Sequence, residues 1–151
     1  MKKTMVSIAV IVIAIIIGVV LIKYVNKNGL FTKSGLDKIQ INEIIATDDV
    51  TGKVTNITDA DAITRFFDEL NSIEVPKENK KEEAHSGCNV PGRNKYYIEL
   101  KSDNEKIVGD IIISKEGDIK VNNFENKYIK EIKDTGAANN LEKLIQTNIN
   151  L

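Results

Sequence analysis

The sequence predicts an α+β fold preceded by a transmembrane helix, with the order β-β-α-β-β-β-β-α in the folded part. Three observations predict it. An uncharged apolar run, Met5–Ile22 (MVSIAVIVIAIIIGVVLI), lies near the N-terminus. The stretch TDADAITRFFDELNSI carries apolar residues at helical spacing. From Lys95 onward, short alternating runs are separated by tight turn signals, the pattern of an antiparallel meander. The expected organisation is a membrane anchor over 1–25, a linker over 26–37 and a domain over 38–151. In that domain about six strands form a small antiparallel sheet packed with two amphipathic helices.

Eighteen residues at 1.5 Å of rise make a helix of roughly 27 Å, close to the ~30 Å hydrocarbon core of a bilayer. Lys3 and Lys23 suit the two interfaces, and Tyr24 the headgroup level. A cleavable signal peptide has a shorter apolar region and a small-x-small cleavage site. The sequence after Ile22, KYVNKNGLFTKSG, offers no such site and no lipid-carrying cysteine. The run therefore reads as an uncleaved signal anchor. The lysines near its ends do not fix the orientation, because Lys23, Lys27, Lys33 and Lys38 follow it while Lys2 and Lys3 precede it. MKKT leading directly into the apolar run resembles an export signal, so the C-terminal domain is expected outside the cytoplasm.

Asn26–Leu36 (NKNGLFTKSGL) reads as a short tether because of its glycines and small polar residues. Lys38–Ala46 reads as a first strand with Ile39, Ile41 and Ile45 on one side, and Lys53–Ile57 as a second. Thr58 is placed to cap the next helix, with Asp59 and Asp61 complementing its positive end. Ile63, Phe66, Phe67 and Leu70 then make one apolar face, expected to be core. After the segment 76–94, the runs KYYIELK, KIVGDIIIS, IKVNN and KYIKEI read as four strands. Ala137–Ile149 reads as a closing helix with Leu141, Leu144, Ile145 and Ile149 on one face, started by Asp134, Thr135 and Gly136.

The run ITDADAITRFFDELNSI, a polar excursion, then YYIEL, IIIS, IKVN and a closing amphipathic helix form a familiar outline. It resembles small extracytoplasmic domains of unknown function from low-GC Gram-positive bacteria, carried behind a lipoprotein signal or a single N-terminal helix. The resemblance covers roughly residues 38–149 and is one of pattern. It implies an exported, non-enzymatic accessory domain and supplies no catalytic residue.

The formal charge of −1 conceals an uneven distribution. Four of the 21 basic residues (Lys2, Lys3, Lys23 and Lys27) lie in the acid-free N-terminal segment, so the rest carries 17 basic against 22 acidic residues. Nucleic-acid binding requires a cationic footprint, and here the bases are interleaved with acids. The single cysteine, Cys88, excludes an intramolecular disulfide. No cofactor is expected, since P-loop, dinucleotide-binding and G-x-S-x-G patterns are all missing.

The only histidine and the only cysteine fall together in His85-Ser86-Gly87-Cys88, after Glu82 and Glu83. One imidazole, one thiolate and a carboxylate fall short of the spacing of a structural zinc site. A Cys–His nucleophile pair also needs a preorganised base, which two neighbouring loop residues do not provide. The loop as a whole is the better candidate, because long connections in compact domains are often functional. His85, Cys88, Asn89 and Arg93 are its candidate partner-binding residues. The expected function is a membrane-anchored binding or accessory domain of the cell envelope, held to the membrane through residues 5–22. The alternatives are an immunity-type protein meeting a toxin at the membrane and a small envelope hydrolase using two carboxylates.

Overall fold

Folding begins before the first strand. The computed structural model describes residues 29–76 and 92–148, and its first elements are helix α1 (Leu30–Ser34) and a single 3-10 turn, Leu36–Lys38. This part of the expected 26–37 linker is integral to the domain. Leu30 and Leu36 are fully buried, and Phe31 stacks on Phe67 with ring centroids 4.2 Å apart. The amide of Leu30 donates to the Ile73 carbonyl at 3.0 Å. At Gly29 there is no room for a side chain, since a Cβ would stand 2.1 Å from the Asn71 carbonyl oxygen. Gly35 closes α1 at φ 76°, a conformation glycine adopts without strain. The sequence hides this because two apolar anchors six residues apart, separated by polar and glycine residues, match neither helix nor strand period. The expected anchor over 1–25 lies outside the described residues. Among the described residues, no helix is long and apolar enough to cross a membrane.

Strands β1 (Ile41–Asp48) and β2 (Val54–Ile57) form a hairpin, followed by helix α2 (Ala60–Ser72). Then come β3 (Asn94–Ser102), β4 (Ile107–Ser114), β5 (Asp118–Asn123), β6 (Tyr128–Lys133) and helix α3 (Thr135–Thr147). The strands form one antiparallel sheet in the order β2-β1-β3-β4-β5-β6. The α+β class and the predicted element order hold, with α1 and its 3-10 turn added in front.

Period-two alternation places one row of each strand against the helices: Ile44 and Ala46, Ile98 and Leu100, Ile111 and Ile113, Ile119 and Val121. All are at most 1% exposed. The expected grouping of Ile39, Ile41 and Ile45 fails for a physical reason. The register of β1 against β3 shifts by one residue between Ile41 and Glu43, leaving Asn42 as an extra residue. A bulge exchanges the two faces, so Ile39 and Ile41 pack on the core before it while Ile44 and Ala46 do so after it.

Both long helices start on an aspartate. Asp59 accepts from the Ala62 amide at 2.8 Å and Asp134 from the Ala137 amide at 2.9 Å. Asp59, rather than Thr58, is therefore the cap of α2. The faces follow the predicted spacing, with Ile63, Phe66, Phe67 and Leu70 of α2 and Leu141 and Ile145 of α3 all buried. Helix α3 runs from Thr135, two residues earlier than expected, and Ile149 lies outside the described residues.

Candidate functional site

The helices take one face of the sheet, and the other face gathers the polar side chains of the strand centres. Strand register fixes two rows there. One reads Asn56, Ile45, Glu99, Asp110, Asn122 and Ile129, and the next reads Val54, Thr47, Tyr97, Ile112, Lys120 and Glu131. At the centre lies Asp110, only 7% exposed although no helix of the described residues covers it. Its own neighbours bury it. The Tyr97 hydroxyl donates to Asp110 Oδ2 at 3.3 Å, and Asn122 Nδ2 donates to Asp110 Oδ1. Glu99 stands directly opposite Asp110 across the β3–β4 ladder.

This environment acts on the phenol. Burial, then the charges of Asp110 and Glu99, then the hydrogen bond to Asp110 push the Tyr97 pKa up to about 12. Tyr97 is consequently a hydrogen-bond donor over the whole physiological range. Asn122 Oδ1 is buried and accepts no hydrogen bond, as is Asn94 Oδ1 at the start of β3. The cluster thus combines a committed carboxylate, a phenol held protonated and an unmatched amide oxygen.

Two more arrangements lie away from that face. An extra residue in β3, Lys95, shifts the ladder between Asn94 and Tyr96, and Lys95 and Tyr96 both reach α3. Lys95 pairs with Glu142 at 2.5 Å, and Gln146 Nε2 donates to the Tyr96 hydroxyl at 3.4 Å. Between the helices runs a groove of about 490 Å³, lined by Arg65, Asp68 and Glu69 of α2 and by Asn140, Lys143, Leu144 and Thr147 of α3. Asn140 spans it to Glu69 at 2.9 Å. Groove and sheet face are separate.

Of the candidate loop residues, His85, Cys88 and Asn89 lie outside the described residues. Arg93 is exposed just before β3, and its carbonyl accepts from the Lys115 amide at 2.9 Å. Two aspartates have local structural roles. Asp48 Oδ1 accepts from the amides of Val50 and Thr51 in the β1–β2 turn, and Asp59 caps α2. Burial acts to raise the pKa of Asp48, but those amides, the Thr51 hydroxyl and Lys95 together outweigh it and hold the carboxyl below its usual range. Among the described residues, no three His, Cys, Asp or Glu side chains converge as a metal site.

The sequence carries little sign of the Tyr97–Asp110–Asn122 cluster. Its one signal is an acid inside the otherwise apolar strand IVGDIIIS, which alternation alone assigns to an outer face. No family model matches the chain, and neither a curated protein nor a solved structure matches it.

Proposed function

We propose that this chain is a membrane-anchored extracytoplasmic domain that acts by binding a partner rather than by catalysis. The observation that carries the reading is the position of Gly29. Gly29 is already part of the fold, buried and hydrogen-bonded through its neighbour Leu30, only seven residues after the apolar run ends at Ile22. An apolar segment of bilayer length joined so closely to a folded domain suits an anchor that presents the domain at the membrane surface. Binding, rather than hydrolysis, agrees with the chemistry of Asp110. Each of its oxygens already accepts a hydrogen bond from the sheet, which leaves it poorly suited to move protons for a substrate.

Fractionation tests the anchor. The full-length chain is expected in sedimented membranes after an alkaline wash, and its recovery in the soluble fraction refutes the reading. A membrane-impermeant maleimide tests the side, through Cys88. Labelling of intact cells supports the extracytoplasmic placement. Labelling that appears only after lysis, without denaturant, refutes it.

A further inference from the structure

Among the large hydrophobic residues left exposed, three gather at one corner of the sheet: Ile107 (37%), Phe124 (50%) and Ile129 (67%). Their closeness follows from register. Phe124 continues β5, its amide donating to the Val108 carbonyl at 2.9 Å, so Ile107 enters β4 beside it. Ile129 faces Asn122, two residues from Phe124 on the same side of the sheet. Lys106 and Glu125 form an ion pair at 3.4 Å on its rim.

This corner is also close to the point where the chain enters the fold. The Ser34 carbonyl, at the end of α1, accepts from Asn123 Nδ2 at 2.9 Å and from Asn126 Nδ2 at 2.8 Å, the residues on either side of the Phe124–Glu125 pair. Helix α1 spans only about 8 Å at 1.5 Å per residue, which puts Phe124 within roughly 20 Å of Gly29. Seven residue steps separate Ile22 from Gly29, so whatever conformation they take they reach at most about 24 Å. About 120 residues fold into a body roughly 35 Å across. The connection is thus shorter than the domain, so Gly29 cannot lie at the pole farthest from the bilayer.

We propose that the Ile107–Phe124–Ile129 corner rests in the headgroup region of the same bilayer, docking the domain on lipid with α1 and the β5–β6 turn down. This rests on the anchored reading above. The far end of the sheet, with the β1–β2 turn and Arg93, then points away from the membrane. Exposed aromatic and aliphatic side chains lose water at that depth.

The test uses the full-length chain in phosphatidylcholine vesicles carrying a headgroup nitroxide. The chain carries Cys88→Ser and one new cysteine with an environment-sensitive fluorophore, either Phe124→Cys or Val50→Cys. Both positions are exposed, and Val50 lies in the turn at the opposite end of the sheet. The expected result is a blue-shifted emission at 124 and several-fold stronger quenching there than at 50. Equal quenching at the two sites, in protein that floats with the vesicles, overturns the docking and leaves the anchor standing. A shift at 124 that grows with the protein-to-lipid ratio, without quenching, assigns the corner to a second copy and also overturns it. Protein that does not float with vesicles sinks the anchored reading and this proposal together.

Discussion

The two faces of the sheet are made by the same strands and stabilised by different means. On the helix side, Ile44, Ile98, Leu100, Ile111, Ile113, Ile119 and Val121 meet Phe66, Leu70, Leu141 and Ile145 in one dry cluster. Each side chain there gains from removal of apolar area from water, and neighbours of similar volume are partly interchangeable. On the opposite face Asp110 is nearly as buried, but its burial is tolerable only because Tyr97 and Asn122 donate to it. Burial on the first face is a driving force. On the second it is a constraint that fixes which groups must be present, and the unmatched Asn122 oxygen shows that it is met incompletely.

The sharpest way to break this comparison is through the segment that joins the helix-side core from outside the regular elements. Leu36 is fully buried, so Leu36→Ala is expected to cost about 2–5 kcal/mol, a loss of the size seen for core leucines. Urea unfolding measures it, and a change near zero would return residues 30–38 to the status of a tether. Gly29→Ala comes next, at about 1–3 kcal/mol, because the added methyl collides with the Asn71 backbone. On the opposite face, Asp110→Ala removes almost no apolar area yet strands the Tyr97 hydroxyl and the Asn122 amide. Its expected cost is about 1–3 kcal/mol, read by the same urea series. A neutral or stabilising outcome would mean that the cluster is solvated and the contrast between the faces is false.

The parts of the fold that were legible in the sequence are those governed by a single local period. The apolar face of α2 and the hairpin spacing from β3 to β6 can be read directly, because 3.6 runs unbroken through the one and period two holds over the strand centres of the other. What was not legible depends on contacts between distant residues. The bulge at Asn42 arises from register against β3 and swaps the faces of β1, which no local pattern announces. The burial of Leu30 and Leu36 depends on α2 and the β5–β6 turn being in place. The choice of Asp59 over Thr58 as cap is a one-residue matter of backbone conformation. The polar cluster was the least legible of all, since Tyr97, Asp110 and Asn122 belong to three strands and meet only through two registers. Rare residues that sit together, as His85 and Cys88 do, are visible in a sequence, whereas a cluster of common residues drawn from three strands is not.

The finest test of the contrast between the faces uses pH, because the polar face contains a group whose ionisation the fold opposes. At neutral pH, Tyr97→Phe loses the hydrogen bond to Asp110 and is expected to cost about 0.5–1.5 kcal/mol. The Tyr97 pKa lies at about 12 in the folded chain, against about 10 when unfolded. Below pH 10 the phenol is protonated in both states, and its contribution to stability is complete. Between 10 and 12 the unfolded chain releases that proton while the folded chain keeps it, so the contribution is lost as pH rises. The phenylalanine variant has no such group. The gap between the two proteins in urea is therefore expected to narrow as pH rises from 10 toward 12, with lysine titration common to both and cancelling in the difference. Absorbance at the tyrosinate band gives an independent readout, because one of the four tyrosines should titrate late in the native chain and be missing from the variant. If the gap instead stays constant through that window, Tyr97 is not held protonated by its burial beside Asp110 and Glu99, and the polar face is no more constrained than an ordinary solvated strand.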